Sequence, residues 1–225
     1  MRRLLGIVLV FAAVTACGGG GSGASTKDDQ NIADVAVLKG ADLPSGFIEK
    51  ASSSSSSSDS SASEESDACY QQATGQDPKA FDRSRTAKTK ANFEKGQGLD
   101  AVRIEAIVEM LQDPKVISDQ LAAFAKPEVG DCLKNLFTSA ASSSSATISD
   151  TKTNFVPLDG VGDAGGTFTL TATLTAAGVH GSLTLELDLV KKGRAALSVA
   201  ITTFDVAPDH DLAVSSIKLM ASRVP

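Results

Sequence analysis

Tryptophan is absent from this sequence, and tyrosine occurs once, at Tyr70. Carbohydrate sites commonly stack sugar rings on exposed Trp or Tyr, so a lectin role has little support. Histidine occurs only twice, at His180 and His210, which leaves few groups that titrate near neutral pH. Basic residues are outnumbered, with Lys+Arg 21 against Asp+Glu 27 and a formal charge of −6. That balance excludes the basic footprint of a nucleic-acid-binding protein and disfavours anionic lipid surfaces. Long apolar runs are also missing. The longest, Leu4 to Val14, is about 11 residues, against the roughly 20 that a spanning helix needs.

What stands at the start of the chain is Arg2 and Arg3, then that apolar run, then small residues, which together read as a secretory signal. Val14-Thr15-Ala16-Cys17 resembles the bacterial lipobox: an aliphatic residue, two small residues and a cysteine. The resemblance implies cleavage before Cys17 and acylation of its thiol, with chains such as palmitate. Two or more acyl chains give stable anchoring where one is marginal. The glycines and serines from Gly18 to Ser25 then form a tether, since ten such residues span roughly 17–19 Å as a flexible coil. The expected division is a signal peptide at 1–16, the lipidated cysteine and tether at 17–30, and a folded domain at 31–225. Loss of Arg2 and Arg3 leaves 19 bases against 27 acids, a mature charge of −8.

With Cys17 taken by lipid, Cys69 and Cys132 remain. Outside the membrane an even pair reads as a disulfide, and two separate buried thiols are the alternative. A bridge would close a loop of about 60 residues, worth about 4 kcal/mol in the chain-entropy model.

Ser52 to Asp67 carries almost no apolar side chain and is expected to be a disordered, serine-rich insertion at about 51–66. Val102, Ile104, Ala106 and Val108 alternate with polar residues, so a half-buried strand is expected there. On it, Glu105 and Glu109 are expected on a solvated face. Asp113-Pro114 opens a helix bearing Ile117, Leu121 and Phe124, and Lys126-Pro127 breaks it. Val129, Cys132, Leu133, Leu136 and Phe137 follow at helical spacing, so Cys132 points inward. A period of two then returns. Phe168 to Leu174 alternates with threonines, Leu183 to Leu189 alternates with Thr184, Glu186 and Asp188, and Leu197, Val199 and Ile201 form a third set. Asn154-Phe155-Val156 adds a short strand before them. This is an antiparallel meander with one wet face. Pro208-Asp209 opens a last helix. The expected fold class is α+β: one domain, a twisted antiparallel sheet with helices packed on one face.

Candidate chemistry is sparse. Gly160-Val161-Gly162-Asp163-Ala164-Gly165 matches GxGxxG, but a Thr-alternating strand follows it where a dinucleotide site needs a helix. Asp205, Asp209, His210 and Asp211 cluster near a helix start, where acids already have a capping role, and their spacing does not match a calcium loop. No GxSxG elbow is present. The expectation is no catalytic residues, no metal, no cofactor and no enzyme activity.

The order of features resembles the PknH-like extracellular sensor domain, the outer domain of mycobacterial receptor kinases that also occurs as actinobacterial lipoproteins. An LPxGF-like segment (Leu43–Phe47), Cys69, a strand and helix, Cys132 in a second helix, a Val-Gly-Asp loop (Val161–Asp163), three strands and a final helix carry the resemblance, over roughly Ile32 to Val224. The resemblance implies a twisted antiparallel sheet with helices on one side and a cleft for an unknown ligand. This chain departs from the pattern in having one cysteine pair instead of two, and no kinase. The expected function is a non-enzymatic, sensor-like binding module for a small or amphiphilic ligand. It would be anchored through Cys17 on the outer face of the cell membrane, with no nucleic-acid partner. A protein–protein scaffold or modulator of a membrane receptor or envelope enzyme is the alternative, and a hydrolase the remote one.

Overall fold

The computed structural model describes residues 27–51, 60–143, 147–176 and 179–225. The expected signal peptide, Cys17 and most of the tether lie outside the described residues, as does 52–59 of the serine-rich segment.

Among the described residues, six α-helices and seven strands follow one another: α1 (Lys27–Ala36), β1 (Ile48–Lys50), α2 (Ser60–Thr74), α3 (Ala80–Ser84), β2 (Arg85–Lys95), β3 (Val102–Leu111), α4 (Lys115–Phe124), α5 (Pro127–Ser143), β4 (Thr147–Pro157), β5 (Ala164–Ala176), β6 (Val179–Lys192), β7 (Ala195–Phe204) and α6 (His210–Arg223). The strands form one open antiparallel sheet in the order β1-β2-β3-β7-β6-β5-β4. The α+β class is therefore as the periodicity predicts. Consecutive strands β4 to β7 form the meander, and β3 adds to it through β7.

The helices do not share one face, and here the expectation is corrected. Across β6 and β7, Leu187 pairs with Ala200 while Asp188 pairs with Val199. The apolar set of β5 and β6 is thus one residue out of phase with that of β3 and β7. A one-residue offset sends a set of side chains to the opposite face. Two cores result. On one face, α1 and α6 bury Ala33, Ala36, Ile217 and Met220 against Phe93, Ile104, Val108, Leu197 and Ile201. On the other, α4 and α5 bury Phe124, Val129, Leu133 and Phe137 against Phe168, Leu170, Leu183 and Leu185. The rings of Phe124 and Phe168 pack 5.9 Å apart at a tilt of 57°. Each large side chain buried this way contributes about 1.5–3 kcal/mol.

Two elements begin earlier than expected. Helix α1 starts at Lys27, inside the segment read as tether, and its Asp29 is buried, where Thr86 donates to it and Arg194 pairs with it. Helix α2 starts at Ser60, so the described part of the serine-rich insertion is helical up to its junction with Asp67. The cause lies beyond local propensity: the same helix carries Cys69, which is tied to the core.

The closing helix fixes the frame. Asp209 caps α6 by accepting from the Leu212 amide at 3.0 Å. At its other end Arg223 grips Asp42 with both terminal nitrogens, at 2.8 and 2.6 Å, and so holds the turn after α1.

Candidate functional site

Where α2, α3, α4 and α5 meet the ends of β2 and β3, the structure leaves a cleft of about 270 Å³. The local chemistry explains each wall. Asp113 accepts from the Lys115 amide at 2.8 Å and so starts α4, while its own amide donates to Ser84 Oγ at 2.9 Å. The turn from β3 into α4 is thereby tied to the turn from α3 into β2. Pro127 then starts α5, as its fixed φ allows at a first helical turn. The two helices present Val116, Phe124, Val129, Leu133 and Leu136 to the cleft.

The opposite wall is polar. Cys69 of α2 is bonded to Cys132 of α5, with Cα atoms 5.7 Å apart, so the expected disulfide is present. Helix α2 has few apolar residues with which to hold itself in place, and the bridge sets it beside the cleft. Tyr70 donates to Gln76 Oε1 at 2.7 Å, and Gln76 in turn donates to the Asp119 carbonyl at 3.2 Å. Asp67 pairs with Lys79 at 2.6 Å. Burial pushes the Tyr70 phenol above its ordinary value, and the nearby Asp119 charge pushes it further.

Arg85 and Glu109 close one end. Arg85 pairs with Asp82, and its Nε stands 2.8 Å from Glu109 Oε1. Lys88 reaches the same oxygen at 3.2 Å. These are ion pairs by distance; the Nε hydrogen is not aimed at the carboxylate, and Glu109 Oε1 accepts no hydrogen bond. Glu109 is only 6% exposed, which corrects the expectation of a solvated strand face. Arg85 and Lys88 of the neighbouring strand close over its carboxylate, and sequence alternation alone cannot show that.

A second polar cluster lies across the sheet, under the start of α6. Asp188 is fully buried, and Thr167 donates to its Oδ1 at 2.5 Å. His210 Nδ1 lies 2.6 Å from Oε1 of the buried Glu186. Burial pushes the Asp188 carboxyl up to about 6, against the lowering effect of Thr167. The bond to Glu186 holds the His210 imidazole above its ordinary value. The wet face expected for Glu186 and Asp188 is therefore corrected: both are covered.

The remaining candidate residues separate. Asp209 caps α6, Asp205 Oδ1 accepts from the Ser182 amide at 2.7 Å, and His180 pairs with Thr175 at 2.9 Å. Among the described residues no three His, Cys, Asp or Glu side chains converge as metal ligands. The GxGxxG segment is the loop entering β5. Gly162 has φ +64°, and a Cβ there would sit 2.4 Å from the Lys191 carbonyl. Close backbone approach explains that glycine, and the Asp163 carboxylate accepts from Gly193 at 2.7 Å in the neighbouring hairpin. Comparison of the chain with protein-family models and with curated proteins finds no match.

Proposed function

We propose that this protein is a non-enzymatic binding module of the cell envelope, exported, anchored through Cys17 on the outer face of the membrane, and related to the PknH-like sensor domains. Its task is to hold a small amphiphilic molecule in the cleft between α2, α3, α4 and α5. The cleft is the observation that carries the reading. One wall is apolar, the other offers hydrogen-bonding groups, and small-molecule sites combine those two features. The Cys69–Cys132 bridge supports an oxidising compartment, and the lipobox-like Val14–Cys17 supports the anchor.

Val116→Trp fills the cleft from α4. Native mass spectra of the wild-type protein are expected to show a noncovalent mass excess that the variant lacks at equal thermal stability. Retention of the same excess by a folded variant would place the ligand elsewhere. For the anchor, labelling with an alkyne fatty acid is expected in the wild-type chain and lost in Cys17→Ser.

A protein partner is the second reading. It is favoured by the edge strand β4, whose Lys152, Asn154 and Val156 are exposed on the α6 side of the sheet. A photo-crosslinker at position 154 that captures one specific envelope protein in living cells would promote it.

A further inference from the structure

We infer that the start of α6 is a pH-operated latch, held down on β6 while Asp188 and His210 carry protons and lifted when both protons are lost. The latch lies across the sheet from the cleft and does not depend on what the cleft holds. Glu186 and Asp188 alternate onto one face of β6, and both are buried, at 5% and 0% exposed. Thr167 on β5 donates to Asp188 Oδ1 at 2.5 Å, while Oδ2 has no hydrogen-bond partner among the described residues. A charged carboxylate buried with one oxygen unmatched is costly, and a proton removes the charge. From β7 the pair meets only apolar side chains, since Val199 stands opposite Asp188 and Ile201 opposite Glu186. From α6 it meets His210, which in turn feels the charge of Asp211. Among the described residues, His210 is the one cationic side chain against the pair.

His210 is the clasp. Its Nδ1 lies 2.6 Å from Glu186 Oε1, and its side chain is 58% exposed, so it exchanges protons with solvent. The first turn of α6 has little else to hold it on the sheet. His210 and Asp211 are exposed, Leu212 is half-buried, and the buried apolar positions begin at Ala213. The far end of the helix is fixed separately by Arg223 on Asp42, so release is confined to the first turn. Both protons act with one sign. Burial pushes Asp188 up to about 6 from an ordinary 3.8, and the bond to Glu186 raises His210. The closed latch therefore binds each proton more tightly than the open one does. Its closure is fully present below the ordinary values and is lost as pH rises through the raised ones. Past that point two buried carboxylates lie side by side with no cation against them. The latch is shut in mild acid and opens toward neutral pH, baring the polar face of Thr184, Glu186 and Asp188.

The test is hydrogen exchange of the disulfide-bonded protein, read amide by amide by NMR and corrected for intrinsic exchange, from about pH 5 to about pH 7.5. The reporters are the amides of Leu212 and Ala213, which donate to Asp209 in the first turn. Their protection is expected to fall about tenfold over that range through Asp188 alone, as values of 3.8 open and about 6 closed require. The amides of Ile217 and Met220 and those of β3 are expected to keep theirs. Asp188→Asn, which has no proton to lose there, is expected to remove most of the fall. Glu186→Gln removes the partner of His210 and is expected to leave the turn as weakly protected at about pH 5 as the wild type is at about 7.5. Should Asp188→Asn not fold, Glu186→Gln and the wild-type profile decide the matter. Protection of Leu212 and Ala213 that does not change with pH would overturn the latch. So would a fall shared equally by Ile217, Met220 and β3, which reports global stability, or a fall undiminished in Asp188→Asn.

Discussion

The two halves of the sheet bury their apolar sets on opposite faces and finish differently. In the half built from β2, β3 and β7, α1 and α6 lie directly on the strands. Phe93, Ile104, Ile201, Ile217 and Met220 are at most 2% exposed, and the core is sealed. In the half built from β4, β5 and β6, α4 and α5 seal Phe168 and Leu170 in the same way. They also overhang toward the ends of β2 and β3, where α2 and α3 complete the wall but not the filling. A small domain leaves such a gap at a cost, because lining atoms forgo contacts. The contrast teaches where to look for function: in the half whose packing stops short and whose wall is pinned by a covalent bond in place of a core.

The comparison breaks most strongly in the sealed half. Phe93→Ala removes its largest fully buried side chain and is expected to cost about 3–5 kcal/mol of unfolding free energy in urea denaturation. Any ligand retained by the folded fraction is expected to stay bound, since Phe93 does not line the cleft. Removal of the bridge tests the other half. The linked cysteines are 63 residues apart, so Cys69→Ser with Cys132→Ser is expected to cost about 2–4 kcal/mol. Hydrogen exchange is expected to rise first in α2 and leave β3 and β7 protected; uniform loss of protection would erase the distinction between the halves.

The next effect is smaller and depends on pH. Asp188 faces Thr167 on β5, Glu186 on its own strand and His210 at the start of α6, and His210 in turn feels the charge of Asp211. Its folded value of about 6 lies above the ordinary 3.8, so the folded state binds this proton more tightly than the unfolded state does. Stability from Asp188 is present below 3.8 and is lost as pH rises through about 6, at most about 3 kcal/mol. His210 acts with the same sign, being held raised by Glu186. Asp42 acts oppositely: Arg223 lowers it, so its contribution disappears as pH falls below the ordinary carboxylate range. Stability is therefore expected to peak near about pH 4, where the Asp42 contribution is present and the Asp188 contribution is not yet lost. Asp188→Asn is expected to flatten the decline between about pH 4 and 6 in thermal melts, and an unchanged decline there would remove Asp188 from the account. The smallest effect is expected from Asp209→Ala, about 1 kcal/mol for the lost cap of α6.

Much of this architecture is legible in the residues. The threonine-alternating strands, the helices at Pro114 and Pro127, and the inward Cys132 follow from period and turn chemistry. Two strands' worth of information does not. Strand β2 carries Ala87 and Ala91 at buried positions, and alanine alternating with lysine is too weak a signal to mark a strand. The opposite placement of the two cores depends on Val199 pairing with Asp188, a register that each strand's pattern leaves open. The cleft was harder still. Its polar end combines Arg85 and Glu109 from neighbouring strands, with Asp82 close by, and its other wall depends on where the disulfide sets α2. Only the cysteine spacing gave a hint of that wall.

The central claim is that the cleft holds a ligand. The most direct measurement is the intact mass of the protein purified from its native membrane and cut free of its anchor, taken under native and denaturing conditions. A mass excess seen only in the native spectrum is the predicted result. A native mass equal to that of the disulfide-bonded polypeptide alone would contradict it.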